Sequence, residues 1–204
     1  MITIVDYGLG NIQAFSNIYK RLDVPVRFAK APHDLEGSSH IILPGVGAFD
    51  WAMDRLDASG MRATLDRLVR EDKKHVLGIC VGMQMMARSS DEGRSAGLGW
   101  FDAKVKRFDD SRIQSRTHLP HMGWNDVHPL ATTDLFKELG EGARFYVLHS
   151  YYFEPNDPAD VLAEADYGDR FACAVRRGNV YGIQCHPEKS HKWGIQLLKN
   201  FAGL

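Results

Sequence analysis

The chain has 204 residues, with 25 Lys and Arg against 26 Asp and Glu, a formal net charge of −1, 44% hydrophobic and 25% charged residues. That balance fits a folded globular chain, excludes a disordered one, and lacks the basic excess of a nucleic-acid binder. No apolar stretch reaches bilayer length, since 40–49 is interrupted by Pro44, Gly45 and Gly47, and residues 1–7 carry Asp6 with no basic n-region.

Residues 2–5 are predicted as a buried strand, followed by a Gly8-Leu9-Gly10 loop. Asn11 is placed to cap a helix whose apolar positions Ile12, Phe15, Tyr19 and Leu22 recur at helical spacing. Strands are predicted at 24–29 and 40–43, and helices at 49–56 and 61–70 with a stripe of Leu65, Leu68 and Val69. A fourth strand at 76–79 runs straight into a helix through 83–87. Strand and helix in alternation predict a parallel sheet covered on both faces. The second half reads differently: alternation around Ala103 and Val105, a strongly strand-forming run at 145–153, then 172–176 and 180–184 flanking the turn Arg177-Gly178-Asn179. Residues 194–201 are predicted as a closing helix. The expectation is an α/β fold in a single domain over 1–204: a central, mostly parallel sheet flanked by helices, with antiparallel strand additions in the second half.

Three cysteines, Cys80, Cys173 and Cys185, form no C-x-x-C pair, so neither a disulfide framework nor a zinc ribbon is expected, and the cytoplasm is the expected compartment. Gly78-Ile79-Cys80-Val81-Gly82 sits where a strand meets a helix. It is the thiol form of the G-x-S-x-G elbow, in which a tight turn lifts the nucleophile clear of the sheet. Helix amides aimed at the sulfur favour a thiolate. The pentapeptide alone is equally compatible with a buried core cysteine. His186-Pro187-Glu188 follows the apolar run 180–184, where His186 can reach the Cys80 loop and Glu188 can fix its tautomer. A metal site of His186, Glu188 and His191 is the rival, without a further His or Cys at metal spacing. Leu43-Pro44-Gly45-Val46-Gly47 follows a buried strand. Its amides can supply half of an oxyanion hole, the amide of Val81 the other half, although a glycine turn needed only for packing has the same sequence. Gly8-Leu9-Gly10 fails as a dinucleotide fingerprint because Gln13 holds the third glycine position, and no Walker motif is present, so no cofactor and no metal are expected.

Six segments in chain order carry a resemblance: Asp6-Tyr7-Gly8-Leu9-Gly10-Asn11, Pro44-Gly45-Val46-Gly47-Ala48-Phe49, Gly78-Ile79-Cys80 through Gln84, Pro120-His121-Met122-Gly123-Trp124-Asn125, His149-Ser150-Tyr151, and His186-Pro187-Glu188-Lys189-Ser190. Together the chain resembles the class I glutamine amidotransferases, and among them the glutaminase subunits of imidazole glycerol phosphate synthases. The resemblance implies Cys80 as nucleophile, His186 as base and then acid, and Glu188 as its orienting partner. It implies an oxyanion strand at Gly45, Val46 and Gly47. It further implies that Gln84, Glu92, Ser150 and Tyr151 hold glutamine, with Glu92 facing the α-amino group. The implied partner is a (β/α)₈ cyclase of the histidine pathway, docked on Asn11, Trp124, Tyr146 and Lys189. Val81 replaces the commoner Leu of the family, and Cys185 stands where an aromatic residue usually precedes the histidine. Gly97-Leu98-Gly99-Trp100 and Ser190-His191-Lys192-Trp193-Gly194 look more like paralogous glutaminases that feed a surface-polysaccharide sugar amidotransferase. A small α/β cysteine hydrolase shares the elbow, but does not require Gln84 or His186-Pro187-Glu188.

Overall fold

The structure, a computed structural model, describes residues 1–114, 118–130, 132–140 and 142–204. The amino-terminal half alternates as expected. Strand β1 (Ile2–Val5) leads to helix α1 (Ile12–Arg21), whose first turn is capped by the Asn11 side chain accepting from the Ala14 amide. Then come β2 (Val26–Ala29), β3 (His40–Gly45), α2 (Phe49–Ala58), α3 (Arg62–Arg70) and β4 (His75–Cys80). Helix α4 (Val81–Gln84) starts at the residue after Cys80. The second half is strand-rich: β5 (Ser89–Ser90), β6 (Ala103–Arg107), β7 (His121–Asp126), β8 (His128–Pro129), β9 (Arg144–His149), β10 (Tyr151–Pro155), β11 (Val161–Tyr167), β12 (Asp169–Arg177) and β13 (Val180–Ile183). Helix α5 (His191–Ala202) closes the chain.

The main sheet runs β2-β1-β3-β4-β13-β12-β10-β6-β5, with β11 joined to β12 and to β8. From β2 to β13 every pairing is parallel, and antiparallel pairing begins at β13–β12. The inner parallel strands β1, β3, β4 and β13 are almost wholly buried, as strands covered on both faces are, which explains their Ile-, Leu- and Val-rich runs, whereas the edge strand β2 is only partly buried and carries Arg27. Strands β7 and β9 form a separate antiparallel ribbon. Register matters most at the carboxyl edge of the parallel strands. Gly45 pairs with Cys80, and Ile79 with Ile183, so β3, β4 and β13 all end at one edge. Ligands of open α/β sheets bind outside this edge. Among the described residues, no helix is long and apolar enough to cross a membrane.

Two elements differ from expectation. The elbow helix stops at Gln84 because the next amides bond three residues back, Met86 to the Met83 carbonyl and Ala87 to the Gln84 carbonyl (both 3.0 Å), and the carbonyls of Met85, Met86 and Ala87 accept from Leu98, Phe101 and Gly99 instead of continuing the helix. The strand-forming run 145–153 is two strands, broken at Ser150. On one side of the break β9 pairs with β7, and on the other β10 pairs with β6.

Candidate active site

Cys80 occupies φ 56°, ψ −115°, a strained conformation for a residue with a side chain. The sequence permits that turn because its neighbours lack side chains. A Cβ on Gly82 would stand 2.0 Å from the Leu43 carbonyl oxygen, and one on Gly78 2.7 Å from the Gly82 oxygen. The elbow therefore lies hard against the end of β3, bringing Gly45 beside the Gly82 amide. The preceding peptide is anchored by Tyr7, whose hydroxyl donates to the Pro44 carbonyl at 2.6 Å.

His186 lies three residues beyond β13, and its amide donates to the Tyr146 carbonyl of β9 at 2.8 Å. Its ring shares the wall of one cavity with Cys80, and its Nδ1 stands 3.0 Å from Glu188 Oε1. The short turn Pro187–Lys189 makes this return, and the Glu188 side chain is only 3% exposed. Burial is the largest single influence on His186 and pushes its pKa down. The hydrogen bonds and charges of Cys80 and Glu188 outweigh it and raise the value to about 10. A thiol, an imidazole and a carboxylate gathered in this way can generate a thiolate, pass its proton to a leaving group and return it from water.

These groups open on a cavity of about 350 Å³. Cys80, His186, Val46, Gly47, Val81, Gln84, Glu92, Ser150, Tyr151 and Lys189 all line it; Gly45 lies beneath and Glu188 behind His186. Glu92 is held by the start of α2, where its carboxylate accepts from the Phe49 amide at 2.9 Å. Gln84 Nε2 donates to the Tyr151 carbonyl at 3.2 Å. Sequence reasoning missed four contributors: Pro120, Leu148 and His149 in the cavity wall, and the fully buried Gln184 beside the sulfur. Gln184 was open to detection, being an amide at the end of an apolar strand. Cys173 and Cys185 are buried, and burial pushes both thiols well above the ordinary range.

Beside the cavity mouth the β7–β9 ribbon presents Met122, Trp124, Tyr146 and Leu148 on one face. Lys189 Nζ stands 5.5 Å from the Tyr146 ring centre, and Trp124 stacks on His191 at 5.3 Å. Asn11 is exposed at the start of α1, which lies beside the Pro187–Lys189 turn. His191 is thus engaged with Trp124, and among the described residues no group of three His, Cys, Asp or Glu is arranged to hold a metal ion.

The family model for class-I glutamine amidotransferases matches residues 3–203. The chain is 58% identical over 202 residues to the imidazole glycerol phosphate synthase subunit HisH of Bdellovibrio bacteriovorus, covering 99% of each chain. It is 48% identical to the subunit of the same name from Leptospira interrogans, covering all of both. A crystal structure of a glutamine amidotransferase superposes with a TM-score of 0.76 at 20% identity, covering 100% of this chain and 99% of that one, which speaks to the fold alone. The chain belongs to the class-I glutamine amidotransferase family, and within it to the HisH glutamine amidotransferase subunits of imidazole glycerol phosphate synthase.

Proposed function

We propose that this chain hydrolyses glutamine to glutamate and ammonia through Cys80, His186 and Glu188, and hands the ammonia to a (β/α)₈ cyclase subunit. The cyclase uses it to form imidazole glycerol phosphate and an aminoimidazole carboxamide ribotide. The observation that carries the reading is that Cys80 and His186 line one cavity together with Glu92 and Gln84, while Glu188 is hydrogen-bonded to His186 from behind.

The Cys80 thiolate attacks the carboxamide carbon of glutamine, and the oxygen becomes an oxyanion facing the Val81 amide and the Gly45–Gly47 segment. Losing one such donor costs typically ~10²–10³ in rate. His186, protonated at the outset, delivers its proton to the departing nitrogen, which leaves as ammonia. The glutamyl thioester remains. Water, relieved of a proton by His186, attacks it, releasing glutamate and restoring the thiolate beside the imidazolium. Glu92 suits the substrate ammonium by charge, while Gln84, Ser150 and Tyr151 complete the pocket. Free ammonia is protonated in bulk water, so it must pass to its acceptor along a closed path. The exposed face of Trp124, Tyr146 and Lys189 at the cavity mouth, with Asn11, is the docking surface in this reading.

The test joins the chain to the cyclase subunit from its own source. Cys80→Ser is expected to abolish glutamine-dependent synthesis while sparing synthesis from ammonium salt. Loss of both, or of neither, would overturn the assignment. Supplying both genes to a cell lacking its histidine-pathway glutaminase should restore growth without histidine. No growth, with glutaminase activity intact in vitro, would instead point to a surface-sugar amidotransferase as acceptor.

A further inference from the structure

Within the reading above, one residue beside the nucleophile has no role yet. Gln184 is fully buried in the stretch between β13 and His186, and its Nε2 stands 3.7 Å from Cys80 Sγ. A buried amide is costly unless each end is partnered, so the direction in which it points is set by its surroundings.

Those surroundings leave one orientation. The Tyr151 carbonyl only accepts, so the Gln84 group facing it at 3.2 Å is the NH₂. The same NH₂ lies 3.0 Å from the Gln184 side chain, whose facing atom must therefore be the oxygen. That leaves the Gln184 NH₂ directed at the sulfur. The Tyr151 carbonyl is itself held by His149, whose Nδ1 lies 2.8 Å away and donates to it. His149 Nε2 then accepts from His121 Nδ1 at 3.0 Å, and His121 Nε2 accepts from Asn125 at 3.2 Å. Burial keeps both imidazoles neutral, so each has one donor and one acceptor, as this chain of bonds requires.

We infer that Gln184 acts on the nucleophile, holding an N–H against Cys80 Sγ that stabilises the thiolate over the thiol, with Gln84 and the Tyr151 carbonyl as the positioning groups that fix its orientation. A donor to sulfur favours the charged form, as does a neighbouring imidazolium. The thiolate is thereby stabilised by a neutral donor as well as by the imidazolium.

The test reads the sulfur alone, without glutamine turnover, so its failure is separate from failure of the glutaminase reading. The full chain is alkylated with iodoacetamide across a pH series, and the rate at Cys80 is followed by peptide mass spectrometry. Gln184→Met removes the donor and is expected to move the midpoint of the profile up by about one pH unit. Gln184→Glu keeps the shape but puts a carboxylate oxygen against the sulfur, and should move it further. The titratable groups around Sγ are His186 with Glu188 behind it, Tyr7, Cys185, and Glu92 and Lys189 across the cavity. None is altered by these substitutions. A role confined to packing would lower thermal stability and leave the midpoint in place, and superimposed profiles would overturn the inference. The parent protein supplies a second measurement that needs no variant. The side-chain amide resonances of Gln184 should titrate with the same midpoint as the alkylation of Cys80, and resonances that stay fixed through it would equally refute the role.

Discussion

Glu188→Gln isolates the charge behind His186. The carboxylate is 3% exposed, Oε1 meets His186 Nδ1 at 3.0 Å, and Oε2 is buried with no hydrogen-bond partner. A glutamine side chain in this space has two orientations, and both lose. With its oxygen towards His186 the tautomer survives, but the charge assistance to the imidazolium is gone and the NH₂ is buried unpaired where Oε2 was. A hydrogen bond to a charged group contributes about 1.5–3 kcal/mol, which corresponds to roughly 10- to 150-fold in rate. With the NH₂ towards His186, Nδ1 must accept, Nε2 carries the proton, and the ring no longer takes one from Cys80. In a serine protease the analogous change costs about 10⁴ in kcat. The expected result is therefore a fall in kcat of about 10²-fold, approaching 10⁴-fold to the extent that the amide turns. KM should change less than about threefold, because Glu188 sits behind the ring and does not line the cavity. The unpaired NH₂ should also cost about 1–3 kcal/mol of stability in chemical denaturation. Glutamate release by the complex, followed over a glutamine series, gives both kinetic constants. A kcat within threefold of the parent, or a loss confined to KM, would refute the reasoning.

Gly82→Ala drives a methyl group to 2.0 Å from the Leu43 carbonyl oxygen, a backbone atom that cannot swing aside. A destabilisation of about 2–3 kcal/mol is expected, lowering Tm by roughly 4–12 °C, with activity reduced in the folded fraction; an unchanged Tm would contradict the packing described. Burial lowers the pKa of His149 to about 3 and of His121 to about 4, whereas both titrate near 6.5 when unfolded. As the pH falls from about 6.5 towards 5, the unfolded chain takes up two protons that the fold refuses. Denaturant unfolding should therefore show stability falling by up to about 2.7 kcal/mol per pH unit in that window, and a flat profile would count against the neutral pair. His186 works in the opposite sense: its pKa is raised to about 10, so its contribution is complete below 6.5 and is lost as the pH climbs from there through about 10. Lys189→Glu reverses a charge on the proposed docking face and should weaken binding to the cyclase subunit at least about 30-fold in Kd, with glutamine-independent folding unchanged; parent-like affinity would remove Lys189 from the interface.

The parallel half of the fold was readable from sequence because each strand is a short apolar run bounded by a helix of clear period. Even the cap was visible, as Asn11 accepts from Ala14 as expected. The antiparallel half was harder, for reasons visible in its residues. Strand β7 alternates with His121, Gly123 and Asn125 on one face and Met122 and Trp124 on the other, so hydrophobicity points outward where a core-facing strand would turn it inward. Strand β11 carries Glu164 and Asp166 within its span. The break at Ser150 leaves no mark in periodicity, because pairing partners change there while alternation continues. At the site, the elbow and His186-Pro187-Glu188 stood out because close backbone approach and a tight return each demand particular residue types. The network of Gln84, Gln184, His149 and His121 is assembled from four distant segments, and only folding brings them into contact.

Trapping the covalent intermediate tests the role of Cys80 most directly. The full chain in complex with its cyclase partner is mixed with glutamine, quenched in acid within the first turnover, and mapped by peptide mass spectrometry. One glutamyl group in thioester linkage to Cys80 is expected, absent from Cys80→Ser and accumulating when hydrolysis is slowed. Glutamate released with no adduct at Cys80, or an adduct on Cys173 or Cys185, would contradict it.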